Sequence, residues 1–135
     1  MSIDFYVELL KSSRFCESLG RLLLLSGKLE SALKNHIVQH RTNVDFNLSK
    51  ATLGQLKGFC EKENILSMDL INPLQHILLR RNYLTHNLYS LFNDEIEVTL
   101  LPKEKLEPED ANHYFPQCVE DLISDIEFCI EELNS

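Results

Sequence analysis

The sequence predicts an all-α protein, an up-and-down bundle of four to five helices forming one domain over residues 1–135. Three observations predict it. Apolar residues recur at helical spacing over most of the chain. Only four glycines and four prolines interrupt 135 residues, so turns are few and elements long. The one alternating stretch, residues 95–101, stands alone, and isolated strands are marginal.

The first forty residues read as helix. Phe5, Leu9, Cys16, Leu19 and Leu23 form one apolar stripe, and Leu22, Leu25, Leu29, Leu33 and Ile37 a second that has drifted round. That drift, with Gly20 and Ser26-Gly27, allows one long bent helix or two helices broken near Gly27. Residues 41–48 read as a polar linker. A second helix follows Ser49 or Thr52, passes through Leu53, Leu56 and Phe59, and ends near Glu63. The third begins at Ser67 or at Asn72, because Asn before Pro73 is a good N-cap with proline at the first helical position. Leu74, Ile77, Leu78, Arg81, Leu84 or Thr85, Leu88 and Leu91 carry it to about Phe92. Asn93-Asp94 ends it. Residues 95–101, with Ile96, Val98 and Leu100, read as a short edge strand or an extended arm, and residues 102–108 as a charged loop. The last helix starts between Asp110 and Pro116 and runs through Val119, Leu122, Ile126, Ile130 and Leu133.

Composition narrows the function. The chain is 44% hydrophobic and 25% charged, which describes an ordinary globular domain. No run reaches the roughly 18 apolar residues of a membrane span. Met1-Ser2-Ile3-Asp4 lacks the basic segment and apolar core of a signal peptide, so a cytoplasmic location is expected. Cys16, Cys60, Cys118 and Cys129 lack metal-like spacing and read as reduced thiols. Net charge is −8, unevenly placed: residues 1–93 hold 11 Lys/Arg against 8 Asp/Glu, and residues 94–135 hold 2 against 13. The acidic third reads as a solvated helix face, or as a surface that docks a basic partner. Such a chain is no general polyanion binder. Any RNA contact must use a local basic patch, for which Lys28, Lys34, Arg41, Lys50, Lys57 and Arg80 are the candidates; as scattered solvated cations they would mean nothing. No glycine-rich phosphate loop, GxSxG or Cys–His nucleophile pattern is present.

The most informative run is Arg81-Asn82-Tyr83-Leu84-Thr85-His86. An arginine, an amide and an imidazole inside an apolar helix are costly unless paired. Together they suit phosphodiester chemistry: a fixed cation, an amide to orient, and a group that moves protons near neutral pH. At about 100° per residue, Asn82, His86 and Tyr89 share one stripe. Arg81 lies about 140° from His86, on the stripe of Leu74, Leu78, Thr85 and Leu88. Without functional meaning, Arg81 would be a core-edge ion pair and His86 a surface histidine. Arg80, Tyr83 and Tyr89 flank the candidates. His36 and His40 have the i, i+4 spacing that can serve a metal, but no carboxylate or thiol nearby in sequence completes a ligand set. No metal ligands and no cofactor are therefore assigned.

The run resembles the R-N-x-x-x-H signature of the HEPN superfamily (higher eukaryotes and prokaryotes nucleotide-binding domains). At residue level the resemblance rests on Arg81, Asn82 and His86, and as architecture it covers the whole chain. It implies a metal-independent endoribonuclease, acting as a toxin or in phage defence on RNA such as tRNA or mRNA. It implies a homodimer in which two motifs face one cleft, and a cognate antitoxin, of which the minimal nucleotidyltransferase is one kind. Toxins paired with that antitoxin carry a tyrosine two positions after the histidine, which the antitoxin adenylylates. Here Tyr89 falls one position later, turned by about 100°. The same resemblance admits a non-catalytic helical module for dimerisation or docking.

Overall fold

The structure, a computed structural model, describes residues 5–40, 43–86 and 108–135; of residues 5, 6, 83, 85, 86 and 108–114 it describes the backbone alone. The fold is an all-α helical bundle. Among the described residues five α-helices occur: α1 (Phe5–Lys11), α2 (Ser13–His40), α3 (Leu53–Lys62), α4 (Met68–His86) and α5 (Pro108–Asn134), with a 3₁₀ turn (Leu48–Lys50) before α3. The expected strand or arm over residues 95–101, the break at Asn93-Asp94, the C-terminal end expected for the third helix near Phe92, and Tyr89 lie outside the described residues.

The first break falls at Ser12, not near Gly27. The Ser12 hydroxyl accepts from the Phe15 N–H at 3.1 Å and its carbonyl accepts from Cys16 at 3.0 Å, so Ser12 is the N-cap of α2. Its own N–H closes α1 by donating to the Leu9 carbonyl at 3.1 Å. Gly27 does not interrupt α2, because glycine weakens a helix without removing a hydrogen bond. Phe15, Ser18, Leu22, Ser26, Leu29, Leu33 and Ile37 are buried along this helix, and their packing outweighs the propensity cost. A Cβ added at Gly20 or Gly27 would meet nothing within 4 Å. Gly20→Ala and Gly27→Ala are thus each expected to stabilise the fold by about 0.5–1 kcal/mol, read as a higher urea midpoint. A lower midpoint in both would show that something outside the chain needs those glycines.

Helix α3 has well-formed ends. Thr52 and Gln55 make a capping box, with Gln55 N–H to Thr52 Oγ1 at 3.3 Å and Thr52 N–H to Gln55 Oε1 at 3.0 Å. At the other end Asn64 takes a φ of 55°. The Ile65 N–H then reaches the Cys60 carbonyl at 3.1 Å and the Asn64 N–H reaches that of Glu61 at 3.3 Å, a Schellman stop. The polar linker before α3 also does apolar work: Val44, Phe46 and Leu48 pack against the core, and Phe46 meets Phe59 edge-on, centroids 5.4 Å apart.

Of the two starts expected for the third helix, Ser67 holds and Asn72 does not, and the last helix starts ahead of residues 110–116. Helix α4 begins at Met68, and the Ser67 carbonyl accepts from both Leu70 and Ile71 at 3.0 Å. Pro73 therefore sits in the second turn, where it forfeits only the bond to the carbonyl of exposed Asp69, which water can satisfy. The earlier start places Ile71 in the core. Helix α5 begins at Pro108, with proline at its first position, and carries Pro116 internally.

The most extensive helix pair is α2 with α5, followed by α4 with α5; α3 joins α2 to α4. Leu22, Leu29, Leu33 and Ile37 meet Leu53, Leu56, Leu74, Ile77, Phe115, Leu122 and Ile126 in one cluster. All four cysteines are free thiols, as expected. Burial pushes the Cys60 and Cys129 thiols up to about 11 and raises Cys118 as well, so these three are poor nucleophiles; Cys16 is exposed. Among the described residues no helix is long and apolar enough to cross a membrane.

Candidate functional site

Helix α4 buries Ile71, Leu74, Ile77 and Leu84. Arg81 falls on that stripe, between Ile77 and Leu84, with its side chain only 17% exposed. A guanidinium there must be paired. Its Nη1 donates to Glu30 Oε1 on α2 at 3.4 Å, and its Nη2 donates to Asn82 Oδ1 at 3.3 Å. The structure thus joins Arg81 to Asn82 and adds a third member, Glu30, 51 residues away. Among the described residues α2 and α4 do not pack closely on one another, and this pair bridges them.

Arg80 is one residue, and so about 100°, round the helix. It faces α5 instead, with Nη1 4.0 Å from Asp125 Oδ2 and its side chain 16% exposed. A third pair ties α2 to α5: Arg14 grips Glu120 with two hydrogen bonds of 2.7 and 2.8 Å, and the Ser18 hydroxyl adds one at 3.4 Å. The Arg14 hydrogen bond holds the Glu120 carboxyl below its ordinary range. This pair is exposed, so its stabilising effect is small.

His86 is the last residue of α4, and the backbone sets it one turn beyond Asn82. Tyr83 lies within the same helix. Asn82 is exposed at the outer edge of the Arg81 site.

The expected basic patch is partly consumed by local bonds. Lys57 pairs with Glu61 at 2.9 Å, Lys34 donates to the Ser49 carbonyl at 3.2 Å, and Arg80 faces Asp125. Lys28 and Lys50 are exposed, and Arg41 lies outside the described residues. His36 and His40 stack, centroids 4.1 Å apart. His36 Nε2 donates to the Ile65 carbonyl at 2.7 Å and His40 Nδ1 to the His36 carbonyl at 2.8 Å. His36 thereby fastens α2 to the α3–α4 turn. Among the described residues no group of three or more His, Cys, Asp or Glu is placed to hold a metal ion. An open cavity of about 430 Å³ is lined by Asn43, Val44, Asp45, Phe59, Lys62 and Glu63, and contains none of the motif residues.

Sequence reasoning found Arg81 and Asn82 but missed Glu30. Its one signal is position: a carboxylate one residue from buried Leu29 on a long helix, without a local basic partner among the positions three and four away except Lys34. No family model, curated protein or solved structure matches this chain.

Proposed function

We propose that this chain is a HEPN-type, metal-independent endoribonuclease, acting in the cytoplasm as a toxin or phage-defence effector. The observation that carries this reading is the Arg81–Asn82 unit. A guanidinium and an amide, joined at 3.3 Å, sit at the core edge one turn before His86, on the residues of the R-N-x-x-x-H run. His86 takes the proton from a ribose 2′-hydroxyl, or returns one to the leaving 5′-oxygen. One imidazole does not readily do both in one step, so a homodimer with a composite site supplies a base and an acid. Arg81 stabilises charge on the pentavalent phosphorus, its fork matched to phosphate oxygens. Asn82 orients the imidazole or binds phosphate. The products are a 2′,3′-cyclic phosphate and a 5′-hydroxyl. A cognate antitoxin holds the activity in check. Tyr89 falls one position late for the tyrosine that a minimal nucleotidyltransferase antitoxin modifies, so the ribonuclease reading does not depend on an antitoxin of that kind.

A second reading has its own observation. Arg81 is mostly buried and engaged by Glu30, which suits a purely structural arginine in a non-catalytic dimerisation or docking module. Incubating purified protein with total tRNA and mRNA in EDTA separates the two. Cleavage that leaves cyclic-phosphate ends, and is lost in Arg81→Ala and His86→Ala, is the expected result. A folded dimer that leaves RNA intact would overturn the ribonuclease and favour the module.

A further inference from the structure

Glu30 is an acidic side chain only 27% exposed, beside the buried stripe of α2, and it is held there against the cost of desolvating a carboxylate. Its contact is with the arginine to which the proposed chemistry assigns the phosphate. Glu30 on α2 engages Nη1 at 3.4 Å and Asn82 on α4 engages Nη2 at 3.3 Å. Acceptors on two different helices, one at each terminal nitrogen, define the plane in which the guanidinium lies.

We propose that Glu30 is a positioning residue for Arg81: it presets the guanidinium plane at the α2–α4 seam so that the scissile phosphate meets an oriented fork. This inference rests on the ribonuclease reading. It also makes a prediction that a general structural role does not. Removing Glu30 leaves the charge of Arg81 in place and takes away a competing anion, so RNA binding is retained or tightened. The loss is orientation, and misplacing a catalytic group by about 1 Å costs on the order of 10²-fold in rate.

The test is steady-state cleavage of an RNA substrate by the full chain in EDTA, with melting temperatures measured alongside. In Glu30→Ala, kcat is expected to fall about 10²-fold, with KM unchanged or lower. Glu30→Gln keeps an acceptor oxygen and should restore most of kcat. Glu30→Asp keeps the charge but withdraws it by one methylene, so it should lose kcat in a chain that folds even where the alanine variant does not. Glu30→Ala/Arg81→Ala should be no slower than Arg81→Ala alone. Wild-type kcat in both Glu30→Ala and Glu30→Asp would overturn the positioning role while leaving the ribonuclease standing. A fall in Glu30→Gln as deep as in Glu30→Ala, or a rise in KM in place of a fall in kcat, would also overturn it. A wild-type chain that does not cleave would remove the ribonuclease, and this role with it.

Discussion

Phe115→Ala is expected to cost about 3–5 kcal/mol of folding free energy, a large share of the roughly 5–15 kcal/mol that holds a domain of this size together. Phe115 is fully buried, and it belongs to α5, the helix against which α1, α2 and α4 all pack. Truncation removes the ring's transfer energy and leaves a cavity among side chains that come from several helices and cannot all collapse into it. The next residue, Pro116, offers no N–H, so the helix ladder is already one bond short at this point and local order depends on packing. Phe128 is the control. It lies on the same helix but is 48% exposed, and Phe128→Ala should change stability by no more than about 0.5 kcal/mol. Urea unfolding of the two variants checks both. A Phe115→Ala midpoint close to that of Phe128→Ala would mean that the α5 packing described here is not what stabilises the bundle.

What was legible in the sequence follows from the range of each force. The stripe of Leu22, Leu29, Leu33 and Ile37 on α2, and those of α3, α4 and the second half of α5, are periodic and largely buried. Cys16 and Leu23 of the other expected α2 stripe are exposed, because the buried face of α2 runs through Phe15, Ser18 and Leu22 instead. The Thr52–Gln55 capping box lies within four residues, so that start was among the sequence alternatives. The boundaries left open or missed are places where a local signal competes with a distant one. Gly27 looks like a break, but α2 carries buried side chains on both sides of it, and they hold the helix through. Asn72-Pro73 looks like a start, but the other alternative, Ser67, holds, because Ile71 gains more by being helical and buried. Ser12 was overlooked although its capping role is local, because the apolar stripe runs straight across it. In the candidate site, Arg81 lay visibly on an apolar stripe, which is why it could be read as a core-edge pair. Its partner could not be read: nothing in the sequence says that Glu30, 51 positions away, faces it.

The arginine pair of α4 shows why the site and the scaffold must be tested together. Arg80 reaches α5 and Arg81 reaches α2, so consecutive residues tie this end of α4 to two helices. Any function of Arg81 is thus overlaid on a structural one, and Arg81→Ala alone would mix them. It should cost about 1–2 kcal/mol of stability by leaving Glu30 half-buried without its cation. It should also cost about 10²–10³-fold in cleavage, as the loss of a charge-stabilising donor does elsewhere. Arg81→Lys separates the two contributions. Lysine keeps a positive charge that reaches Glu30 across the seam, so most of the stability should return. It lacks the planar fork that, in the proposed chemistry, grips two phosphate oxygens while also bonding Asn82, so cleavage should stay at least about tenfold below wild type. Stability restored with cleavage still lost would place the geometry of the guanidinium in the chemistry. If instead cleavage recovered in step with the melting temperature, Arg81 would be acting on RNA only through the fold, and the helical-module reading would take precedence.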